Sequence, residues 1–132
     1  MFRAPALVIP FGVPDLYVER YQETDKKHTR LGDGVEKWKV PYWLTDAAFA
    51  SMALQLLALE NNIESCFFGL FDQEESVKEH FGIPENFKAL GSIAFGYSDS
   101  SIEKEGRSKN RNRRPLSDVL HHGRWSPTEL PE

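Results

Sequence analysis

Three arginines near the C-terminus, Arg111, Arg113 and Arg114, are the side chains best placed to bind an anion. They stand just before Pro115-Leu116, so a proline and an apolar anchor bound the run. A guanidinium is a planar fork of donors, and forks held in place suit a phosphate monoester. The run belongs to a basic segment, Lys104 to Arg114, with six basic residues and one acid. That segment carries +5, which leaves -9 on the other 121 residues for a total of -4. A plain charge run is usually a solvated loop or a nucleic-acid arm. The acidic remainder and the lack of an RNA- or DNA-binding motif argue against nucleic acid.

Cys66-Phe67-Phe68-Gly69 is the other notable cluster, an apolar run ending at a glycine. Cys66 is the only cysteine, which excludes an intrachain disulfide framework and a cysteine-based structural zinc site. A free cysteine in such a run usually serves as a small hydrophobe. His28, His80, His121 and His122 show no ligand spacing with Cys66 or with a carboxylate cluster, so no metal centre is expected. The sequence has no nucleophile elbow, Walker loop or dinucleotide fingerprint.

The elements that must position these residues fit in one domain, residues 1–132 of a 15.1 kDa chain. Hydrophobic residues make up 40% and aromatics 12%, enough for a core, with mean hydropathy -0.49. No uninterrupted apolar run approaches the ~18 residues that span a bilayer. The expectation is a cytoplasmic protein with no signal peptide and no membrane partner. Ala6 to Ile9 reads as a strand buried on both faces. Residues 14–40 read as a long irregular, aromatic-bearing stretch that packs on something, with a short helix over Asp15 to Gln22. Leu44 to Asn61 is the clearest helix, capped by Thr45 or Asp46. Only Ser51 and Gln55 break its apolar interior, which predicts a buried helix between a sheet and a partner subunit. Ile63 to Phe71 reads as extended, and Gln73 to Phe81 as a helix with Asp72 at its cap and Glu75 in capping-box register. Leu90 to Tyr97 reads as a strand with small Ser92, Ala94 and Gly96 on one face. Residues 98–114 form the basic loop and 115–132 the tail.

The order of these pieces resembles the C-terminal portion of the nitroreductase family of flavin enzymes. The resemblance runs from Ala4 to Trp125 and rests on Asp46-Ala47-Ala48-Phe49-Ala50, Asn62 to Gly69, Phe81-Gly82-Ile83-Pro84-Glu85, Ala94-Phe95-Gly96-Tyr97, Arg113 to Val119 and His122 to Trp125. It implies an α+β fold, a three-layer α/β/α sandwich, and a homodimer with FMN at its interface. It further implies hydride transfer from NAD(P)H through flavin N5 to a nitroaromatic, quinone or similar acceptor. On that reading Cys66, Phe67, Phe68 and Gly69 lie along the flavin edge. Backbone groups at Phe68 and Gly69 serve N5, Arg111, Arg113 and Arg114 hold the phosphate, and residues 14–43 form a variable lid over the substrate with Tyr42 or Trp43 as its aromatic wall. No residues match the family's initial Arg-x-Ser-x-Arg helix, so an N-terminally truncated form is expected. The alternative is a non-catalytic relative that keeps the fold and dimer interface but binds no flavin.

Overall fold

The computed structural model describes residues 4–98 and 109–125. The chain divides into two units, Met1–Ser98 and Asp99–Glu132. The first holds β1 (Ala6–Val8), β2 (Phe11–Gly12), α1 (Pro14–Gln22), α2 (Tyr42–Glu60), β3 (Glu64–Phe68), α3 (Glu74–Phe81), β4 (Lys88–Ala89) and β5 (Ser92–Gly96). In the second, the described residues show a 3-10 turn at Leu116–Asp118 beside Pro115, and Arg111, Arg113, Arg114 and Leu116 are exposed. The expected basic loop lies mostly outside the described residues.

The central sheet has the order β1-β5-β3, and both pairings are antiparallel. Ala94 stands between Leu7 and Cys66 in register, and Ile93 between Val8 and Phe67. The alternation read from the sequence therefore holds for β5. Ile93 and Phe95 face the core with Ala58 of α2. Ser92, Ala94 and Gly96 form the other face. The expectation for β1 does not hold. It is an edge strand with Leu7 56% exposed, and β5 takes the central place. A continuous apolar run does not by itself distinguish an edge strand from a central one.

Helix α2 is present nearly as expected, but it is not buried all round within this chain. Its buried residues are Trp43, Ser51 and Ala58. The polar stripe faces inward: Ser51 donates to the Ala47 carbonyl at 2.6 Å, and the Gln55 carbonyl oxygen accepts from Ser65 on β3 at 3.3 Å. Because the sheet supplies Ser65 as a partner, burying Gln55 leaves no orphaned group. The leucine-rich face points outward, with Phe49 70% and Leu56 60% exposed. Counted as a helix of 19 residues, α2 is long and apolar enough to cross a bilayer, though no single apolar run in it is. The core helix of a soluble protein meets the same test of length and composition, and α2 packs Ala58 against the sheet.

Neither expected cap is used. Pro41 precedes α2, Thr45 donates back to the Pro41 carbonyl, and Asp46 accepts from Tyr17. Likewise α3 starts after Gln73, not Asp72, and has no side-chain cap. Its anchor is Lys78, only 3% exposed, which pairs with Glu74 at 3.2 Å and donates to the Glu85 carbonyl at 3.3 Å. Glu74 also accepts the Ala89 N–H at 3.0 Å, fastening α3 to β4. Gly82 ends the helix at φ +65°, as its sequence position suggests.

Candidate functional site

Strand β3 lies at the edge of the sheet and carries Cys66, Phe67 and Phe68 to Gly69. A strand alternates its side chains, so Cys66 and Phe68 share one face while Ser65 and Phe67 share the other. A ligand that meets all of residues 66–69 therefore meets their backbone edge rather than four side chains. Cys66 is exposed and opens onto a hollow of about 360 Å³, together with Pro5, Glu64, Ala94, Gly96 and Tyr97. The hollow exists because Ala94 and Gly96 project almost nothing from β5. Gly69 extends the clear strip: a Cβ there would lie 2.9 Å from the Phe71 ring.

Residues 14–43, expected to form a lid, are built around one ring cluster. Trp38 meets Tyr17, Tyr21, Tyr42 and Trp43 edge-on, with centroids 4.8 to 6.2 Å away. Its indole N–H donates to the Leu31 carbonyl at 3.0 Å. Three 3-10 turns over 27–37 wrap this cluster. They close tightly at Gly32, where a Cβ would come within 2.7 Å of the Tyr21 carbonyl. Tyr42 is half exposed and presents a ring to solvent, whereas Trp43 is 8% exposed and is core. Of the two expected wall residues, only Tyr42 has a free face in this chain.

The sequence reading missed two pairs. Tyr17 donates its hydroxyl to Asp46, joining α1 to α2. That bond, aided by partial burial, pushes the phenol up to about 12. The second is Lys78 with Glu74. Burial works against the ammonium, but the Glu74 and Glu75 carboxylates outweigh it and raise its pKa. Glu74 is held below its ordinary value by the Ala89 N–H first, against the cost of its burial, and by Lys78. The signal was available: Glu74 and Lys78 stand at i,i+4 in the favourable order. Tyr17 and Asp46 lie 29 residues apart, and no local pattern pairs them. Among the described residues no group of His, Cys, Asp and Glu could hold a metal ion. The three arginines lie in the second unit, exposed.

The sequence profile of the nitroreductase family matches residues 1–97. The chain belongs to the nitroreductase family, and its α+β architecture is that family's fold. Among solved structures it is similar to an FMN-dependent nitroreductase from Clostridium difficile R20291, at 18% identity and a TM-score of 0.50. The alignment covers 94% of this chain and 82% of that one. No curated protein matches.

Proposed function

We propose that this chain is an FMN-dependent oxidoreductase, working as a homodimer and passing hydride from NAD(P)H to a nitroaromatic, quinone or similar acceptor. The observation that carries this reading is the end of β3: a backbone edge at Gly69, which bears no side chain of its own and has the Phe71 ring against it, beside an open sheet face, on a strand packed against α2. The residues present suit the cofactor. Cys66 and Phe67 flank the strip with apolar surface, and the Phe68–Gly69 backbone meets the flavin's N5 edge without a side-chain acid. Arg111, Arg113 and Arg114 supply forked donors for the phosphate. FMN, when bound, supplies the two-electron carrier that accepts hydride at N5 and yields it to the acceptor. The protein orients the ring, neutralises the phosphate and limits water. Tyr42 offers an aromatic wall, backed by Trp38 and Trp43.

The outward leucines of α2 support the dimer, because a monomer would leave that apolar face in water. The family relationship supports the cofactor and the chemistry.

The test is titration of the purified chain with FMN, followed by NADH or NADPH oxidation with menadione. We expect flavin absorbance that co-elutes with a dimer, and turnover dependent on both nucleotide and quinone. The double variant Arg113→Glu with Arg114→Glu weakens FMN binding about tenfold or more. A dimer that takes up no FMN would sink this reading in favour of the non-catalytic one.

A further inference from the structure

Phe71 combines two features not expected of an aromatic that serves only packing. Its backbone lies in the left-handed region, at φ +48°. A residue with a Cβ enters that region only at a cost. Its side chain is 86% exposed, so burial within the chain offsets little of that cost. Such strain persists only where the surroundings enforce it, and it gathers at binding sites. The enforcement is visible here. Residues 69–70 lead from β3 into a 3-10 turn at Phe71–Gln73, which runs directly into α3. The Gln73 N–H donates to the Leu70 carbonyl at 2.9 Å, and α3 is fixed from behind by Lys78. With both ends held, the turn sets the Phe71 ring beside Gly69, where only a glycine leaves it room.

We infer that Phe71 is a specificity-determining residue, its ring the platform on which a flat aromatic acceptor stacks; this rests on the flavin reading above. The ring stands beside the backbone strip assigned to the flavin's reactive edge. An aromatic acceptor that reaches that edge passes over this ring, which rests on Gly69 and leaves most of its surface exposed. Ring stacking favours flat π-systems and does nothing for a compact inorganic ion. Phe71 therefore discriminates among acceptors rather than activating them.

The experiment compares Phe71→Gly, Phe71→Ala and Phe71→Trp with the parent, all as full chains loaded with FMN. Glycine enters this backbone conformation freely. Phe71→Gly is therefore expected to melt at or above the parent's Tm while losing function. For menadione, KM rises roughly threefold to tenfold in the glycine and alanine variants. KM for ferricyanide, which has no ring to stack, stays unchanged, as does FMN uptake. Tryptophan restores menadione binding. The assignment is overturned if Phe71→Gly lowers Tm, if both acceptors shift together, if FMN uptake falls, or if the variants change the dimer instead. A parent chain that takes up no FMN fails before any variant is compared; that failure belongs to the flavin reading and removes this one with it.

Discussion

Glu74 and Glu75 are neighbours with opposite importance. The sequence pointed to Glu75, in capping-box register, yet that cap does not form and Glu75 is exposed. Glu74 accepts a backbone N–H from β4 and faces a buried lysine. Removing it leaves Lys78 with weaker partners and orphans the Ala89 donor, a loss of about 1–3 kcal/mol. Glu75→Ala should stay within ~0.5 kcal/mol, as for an ordinary surface ion pair. Denaturant melts of the two variants separate these outcomes; equal losses would mean that Lys78 relies on both carboxylates alike. Single residues were the scale least legible from sequence. The capping expectations, Thr45 or Asp46 for α2 and Asp72 for α3, failed for local and tertiary reasons: α2 starts earlier with Thr45 bonded back to Pro41, Asp46 is engaged by Tyr17, and a 3-10 turn leads into α3.

At the scale of elements the sequence was far more informative. The long helix, the small-faced β5, α3 and its glycine stop all stand within a few residues of where pattern and punctuation put them. What the pattern did not reveal was which side of α2 faces in. Two polar residues on an apolar helix look like its solvent stripe, and only the presence of Ser65 on β3 makes the inward orientation satisfied. The outward side makes a direct prediction. Phe49→Glu and Leu56→Glu should leave the chain folded, because both side chains are already in water in the lone chain. If a second copy covers this face, each loses about 1.5–3 kcal/mol of association per buried side chain. Light scattering should then show monomers at concentrations where the parent is dimeric. A charged variant that stays dimeric would place the interface elsewhere.

For the whole molecule, the titrating groups define a window of stability. Asp25 is held down to about 2 by the Arg20 guanidinium that grips it, and Glu74 is also depressed. Their contributions are complete above the ordinary carboxylate range and are lost as pH falls through it. Tyr17, pushed up to about 12, and Lys78, also raised, contribute fully below their ordinary values near 10 and lose that contribution as pH rises further. Thermal melts should therefore hold a plateau from about pH 5 to about pH 9 and decline on both sides. Tyr17→Phe should flatten the alkaline decline without moving the acidic one. The fold class and family were legible because both rest on the order of the elements, which the sequence states directly. Of the candidate site, the sequence placed residues 66–69 on and just after one strand but did not show that strand geometry splits Cys66 from Phe67. One more consequence follows from the ring cluster under α1. The chain has three tryptophans, and Trp38 and Trp43 sit 6.2 Å apart at 69°. Two indoles that close share their excitation, so the ring cluster carries its own optical label. With the exposed Trp125 replaced by phenylalanine, tryptophan emission would come from Trp38 and Trp43 alone. The cluster's loosening could then be followed in real time without attaching any dye.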